Sequence, residues 1–162
     1  MVHVIPSYKY IYIITAIWSV VNLFWLSPNQ KSILDICKNN NLDASQIVKV
    51  VIFAAKFEDK SELPILTCIR GDQIINEVKL YNFINKNSTS NLIYLRIIED
   101  NSLIEKNLTN FPIGFIGPDI NDQTIKSTSS WDKSWLIIAD NSASTLSSFV
   151  SGGNKFNFHK VF

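Results

Sequence analysis

The sequence predicts an α/β (mixed) domain: a compact fold with a mixed, mostly antiparallel sheet surrounded by short helices. Strand-like runs rich in Ile, Val and aromatic residues recur along the chain, separated by short polar turns. Between them lie brief segments with helical spacing and residues suited to capping. A chain of 162 residues with 18% charge and 46% hydrophobic content makes one domain with a real core, which excludes wholesale disorder.

The first element is the least ordinary. Residues 10–26, YIYIITAIWSVVNLFWL, carry no charge and reach the short limit for spanning a bilayer, with Tyr and Trp near the ends. As a signal peptide the segment would rely on Lys9 alone for its charged region, and FWLSP offers no small-residue cleavage pattern. An added leader or a docking segment is the other reading. Residues 1–26 are therefore set apart as an apolar N-terminal segment of unassigned role, and the domain is expected over 27–162.

Pro28 and Asn29 break the apolar run, and QKSILDICKNNN follows with Ile33, Leu34 and Cys37 at helical spacing before an Asn cluster. Asp43 and Gln46 form a capping box that opens a second short helix. IVKVVIFAAKF and LPILTCIRG are strands joined by a charged turn at 56–60, and Gly71 stops the second. From Asp72, Ile74, Ile75, Val78 and Leu80 suit a short helix with one buried side. NLIYLRII is a strand, EDNSLIEKN a brief helix, NFPIGFIGPD a Gly/Pro loop and DINDQTIKSTSSWDKS a polar excursion. WLIIAD is a buried-type strand. NSASTLSSFVSGG has the start and stop signals of a helix, with Asn141 or Ser142 as its cap, and KFNFHKVF alternates as a final strand.

Charge and cysteine usage limit the function classes. Net charge is +1 and no dense Lys/Arg block occurs, so this domain alone should hold a large RNA weakly. Cys37 and Cys68 lack a CxxC or Cys/His pattern, and His3 and His159 share no zinc-like spacing. Two reduced, packed cysteines of a cytosolic protein are expected, with no metal.

Several residues are candidates for chemistry. Arg70-Gly71-Asp72 has the form of an adhesion tripeptide but also of a strand-to-helix turn. Lys79 follows it. A lysine ending a helix turn usually faces solvent and supports the dipole, whereas a functional one is aimed at a phosphate, ribose or developing oxyanion. Locally nothing separates the two. Gly114 to Pro118, GFIGP, makes a fixed turn whose N–H groups can point outward toward carbonyl oxygens or phosphates, although most such loops are simply tight turns. Asp140 sits at a strand end before a helix, as a charge for that helix or as a carboxylate facing a cleft. His159 lies on an alternating strand. No Ser-His-Asp elbow, P-loop or Rossmann fingerprint is present.

In order, RGDQIINEVKL, GFIGP and IIADNSASTLSSFVSGGNKFNFH resemble the insertion domain of bacterial prolyl-tRNA synthetases, an editing module related to YbaK-like aminoacyl-tRNA deacylases. The matched positions are Arg70 to Lys79, Gly114 to Pro118, Ala139 with Asp140 and Ser142, and Gly152 with Asn154 and His159. The resemblance spans about 27–162. Residues 119–133 form a longer connection than the family usually has. The chain stops three residues after His159, so truncation at the C-terminus is expected, and class II activation motifs are absent.

The resemblance implies hydrolysis of alanine wrongly attached to proline tRNA, in the cytoplasm and without a cofactor. It implies that Lys79 anchors the terminal adenosine or phosphate, and that Gly114, Gly117 and Pro118 orient the carbonyl end. It also implies that His159 shapes a small alanine pocket and that Asp140 binds the amino group or supports the site, with Ser142 and Asn154 among the substrate-binding positions. The implied partners are the acceptor end of mischarged proline tRNA and a prolyl-tRNA synthetase, and a membrane enters only through residues 10–26. An inactive fragment retaining the fold and a membrane-anchored relative are the alternatives.

Overall fold

The chain is described from a computed structural model, over residues 2–5, 23–98, 111–121 and 135–162. In chain order the elements are β1 (Val2–Ile5), β2 (Phe24–Leu26), α1 (Ile33–Asn40), a 3-10 turn (Ala44–Gln46), β3 (Val48–Phe57), β4 (Glu62–Arg70), α2 (Glu77–Lys86), β5 (Leu92–Ile97), β6 (Leu136–Asp140), α3 (Asn141–Ser144), β7 (Val150–Gly152) and β8 (Phe158–Val161). They form a five-stranded mixed sheet, ordered β1-β6-β4-β3-β5, and a three-stranded sheet, β2-β8-β7. The α/β class and the mostly antiparallel pairing are as the sequence predicts.

The β3–β4 hairpin is the scaffold. It pairs from Val48 with Arg70 to Lys56 with Glu62, and its turn is set by Asp59, whose carboxylate accepts from the Ser61 amide and hydroxyl. Alternation along both strands loads the two faces differently. Val48, Ile52, Ala54, Leu66 and Cys68 face one cluster, with Ile116, Phe149 and Phe162. Phe53, Ala55, Phe57 and Ile65 face the other, beneath Leu80 and Ile84 of α2. β6 joins β4 in parallel, with Cys68 opposite Ala139, and β5 pairs only with the Phe53–Phe57 half of β3. Burial pushes the Cys68 thiol up to about 12, which makes it an inert packed side chain.

The capping box at Asp43 and Gln46 forms as predicted. Two helices differ from expectation. α2 starts at Glu77, not near Asp72, because Asn76 caps it by accepting the Lys79 amide at 2.9 Å. Ile74 and Val78 therefore lie on the solvent side, 91% and 71% exposed, and Leu80 and Ile84 make the buried stripe. The helix expected over NSASTLSSFVSGG ends at Ser144, and its cap is Asp140. Thr145 closes it by bonding back to the Asn141 carbonyl, and Val150–Gly152 then extend to meet β8.

Of the segment set apart at the N-terminus, Val2–Ile5 pair with β6 and Phe24–Leu26 pair with β8. Residues 6–22, which carry most of the membrane or signal reading, lie outside the described residues, as do the helix expected in EDNSLIEKN and most of the polar excursion. Among the described residues no helix is long and apolar enough to cross a membrane.

Gly152 is where the two sheets and the 111–121 loop meet. A Cβ there would lie 2.1 Å from the Phe115 carbonyl carbon and 2.5 Å from the Ile116 nitrogen. These are backbone atoms with no rotamer to yield. Gly152→Ala should accordingly lower unfolding stability in urea by about 2–3 kcal/mol or more, the scale of an overpacked core.

Candidate active site

Lys79 stands in the first turn of α2, the end where the helix dipole is positive. A cation gains nothing from that end, so its position is held by something else. Its Nζ lies 3.1 Å from Asp140 Oδ2, with the lysine side chain 45% exposed and the aspartate 27%. Asp140 reaches this point because β6 runs parallel to β4 and ends beside Ile69 on the face covered by α2. Its other oxygen accepts the Ser142 amide at 2.9 Å, and the Ser142 hydroxyl accepts the Arg70 amide at 3.4 Å. Partial burial pushes the Asp140 carboxyl upward, but the hydrogen bonds from Ser142 and Lys79 outweigh it, and the carboxyl titrates below its usual range.

Behind this ion pair is a cavity of about 20 Å³, lined by Thr67, Ile69, Ile75, Asn76, Lys79, Leu80, Ile138 and Asp140. Its walls are apolar except at the mouth and at Thr67. Arg70, Gly71 and Asp72 form the adjoining turn. The Arg70 guanidinium clasps Asp72 through two bonds of 2.6 and 3.0 Å, and Gly71 donates to Ile47 at 2.7 Å. The tripeptide is thus engaged within the fold.

The remaining sequence candidates gather elsewhere. A larger pocket of about 280 Å³ lies along the stretch of β3 that β5 does not pair, and Lys31, Lys49, Gly114, Ile116, Gly152 and His159 line it. Among the described residues none lines both pockets. Lys79 and Asp140 come together, therefore, but His159 and the glycine loop do not join them in one cavity.

The loop is clamped rather than open. The Phe115 amide donates to Pro112 and the Gly117 amide to Asn154 Oδ1 at 2.7 Å, so these two N–H groups are already used. Asn154 in turn donates to Asp119, which also pairs with the buried Lys160. Pro118 is buried, and Gly114 takes a positive φ of 84° under the Lys31 side chain. His159 is 1% exposed, packed between Trp25 and Phe115, and its Nδ1 lies 2.6 Å from the Ser27 hydroxyl. Burial lowers its pKa to about 4, so the ring is neutral near pH 7.

Sequence reasoning missed Thr67, Ser27 and the Asp119–Lys160 pair. Thr67 sits inside an otherwise apolar strand, and a lone hydroxyl there was the available signal. Ser27 and Lys160 are recognisable only through tertiary contact.

Residues 27–160 match the family described as the aminoacyl-tRNA editing domain. The chain belongs to that family. The editing domain is 76% identical over 139 residues to a proline–tRNA ligase of Prochlorococcus marinus subsp. pastoris, covering 85% of this chain and 23% of the ligase. It is 43% identical over 136 residues to the corresponding ligase of strain NATL1A, again spanning 23% of it. A solved structure described as a proposed trans-editing enzyme for prolyl tRNA synthetase superimposes with a TM-score of 0.58 at 15% identity, covering 87% of this chain and 75% of that one. The last likeness supports the YbaK-like fold alone.

The neutral His159 makes the editing domain sensitive to acid. Its pKa is depressed on folding, so its contribution is present above pH 6.5 and is lost as pH falls toward 4. Across that window unfolding free energy should drop by about 3 kcal/mol from this residue. Urea titrations at pH 7 and 4.5 should show this slope in the wild type, and His159→Asn should lack it.

Proposed function

We propose that this chain hydrolyses the ester of a mischarged aminoacyl-tRNA, with alanine on proline tRNA as its substrate. The observation that carries this reading is the Lys79–Asp140 pair at the mouth of a cavity of about 20 Å³, in a member of the editing family. An aminoacyl ester is activated, so fixing a water and stabilising the developing oxyanion suffice without a protein nucleophile. Lys79 is exposed enough to meet the terminal ribose, its phosphate or the oxyanion, and Asp140 fixes its position. Alanine is smaller than proline, so selection between the two rests on size, the logic of a sieve.

The larger pocket serves the acceptor end. Gly114, Gly117, Pro118 and Asn154 hold its wall rigid, His159 supplies a neutral surface, and Lys31 and Lys49 can meet a phosphate. Ser142 orients Asp140 rather than touching substrate. The chain spans 23% of the proline–tRNA ligase it matches, and association with a prolyl-tRNA synthetase, in the cytoplasm where tRNA is charged, belongs to the same proposal.

Purified chain incubated with alanyl-proline-tRNA should release free alanine and leave prolyl-proline-tRNA intact. Lys79→Ala should reduce the rate by about a hundredfold, the scale of a lost oxyanion contact, with an unchanged circular dichroism spectrum. Undiminished deacylation by that variant would remove Lys79 from the site.

A further inference from the structure

Thr67 is the one polar side chain on the floor of the small cavity. It lies on β4 opposite Ile138, in the face otherwise filled by Phe53, Ile65 and the α2 side chains. It is 4% exposed, and among the described residues no group hydrogen-bonds to its Oγ1. A buried hydroxyl without a partner is destabilising, and valine has the same shape without the penalty. Packing therefore does not explain the hydroxyl.

The cavity above it does. About 20 Å³ is room for a single water, which needs two to four polar partners. Thr67 Oγ1 is available from below, and the Asp140 carboxylate and the Lys79 ammonium line the mouth. Ile69, Ile75, Leu80 and Ile138 give the water apolar walls, and Asn76, which also lines the cavity, has its Oδ1 engaged by the Lys79 amide.

We propose that Thr67 holds the water that attacks the aminoacyl ester. The inference rests on the deacylase reading above and adds a positioning residue to it. The water oxygen bonds to the ester carbonyl carbon, and the bond from that carbon to the ribose oxygen breaks. One water proton passes by way of the Asp140 carboxylate to the departing ribose oxygen. The other remains on the released acid, which then ionises. Thr67 gains or loses no proton overall and acts by holding a lone pair of the water toward the ester.

Two variants separate this role from a structural one. Thr67→Val should leave the melting temperature unchanged or higher, because it keeps the side chain's shape and removes a buried polar group, yet lower kcat by about tenfold or more with KM little changed. Thr67→Ser should lower the melting temperature through the lost methyl yet restore most of the turnover. Equal kcat in wild type and Thr67→Val overturns the proposal while leaving the deacylase reading in place. If the wild type releases no alanine, that reading fails instead, and a high-resolution crystal structure decides the water site by itself. Density within hydrogen-bonding distance of both Thr67 Oγ1 and Asp140, absent in Thr67→Val, supports the site. An empty cavity in the wild type overturns it.

Discussion

The parallel pairing of β4 with β6 is the constraint on which the small site depends. It places the carboxyl ends of two strands side by side, where an open α/β sheet offers a crevice. With Cys68 opposite Ala139, Thr67 and Asp140 point to the face that α2 covers. A slip of one residue would turn Asp140 into the opposite cluster and break both its ion pair and its cap to Ser142. The turn through Arg70, Gly71 and Asp72 then returns the chain so that α2 begins within reach of the same strand end.

A second, separate constraint serves the larger pocket. Gly152 and Gly117 let the backbone of the 111–121 loop approach β7 more closely than any side chain would allow. Asn154 fills the remaining gap with hydrogen bonds to Gly117 and Asp119. Gly117 thus acts in packing, and in the proposed function rigidity is what the loop offers a ligand. His159 belongs to this part of the fold, and its cost at low pH follows from burial that the surrounding aromatic rings enforce.

Much of the fold was legible because its signals are local. The β-branched alternation of β3 and β4, the capping box at Asp43 and the stop at Gly71 each act within a few residues, and each appears where the sequence predicts it. The extent of α3 was not legible. NSASTLSSFVSGG carries true helix signals at both ends, but pairing with β8 and the approach of Gly152 to Phe115 override them after Ser144. The site was legible by halves for the same reason. Lys79 and Asp140 were named from motifs, whereas the orphan hydroxyl of Thr67 depends on which face of β4 lies under α2, a property of tertiary packing.

The placement of Lys79 argues for function over stability. A cation in the first turn of a helix works against the dipole by a few tenths of a kcal/mol. A partly exposed ion pair recovers about as much and little more. The pair therefore adds almost nothing to folding, and the neighbouring Thr67 hydroxyl has no protein partner among the described residues. Two side chains that stability does not favour, facing the same small cavity, are what a site built for a polar reaction requires. An arrangement selected for packing alone would place aliphatic carbon at the buried Thr67 position.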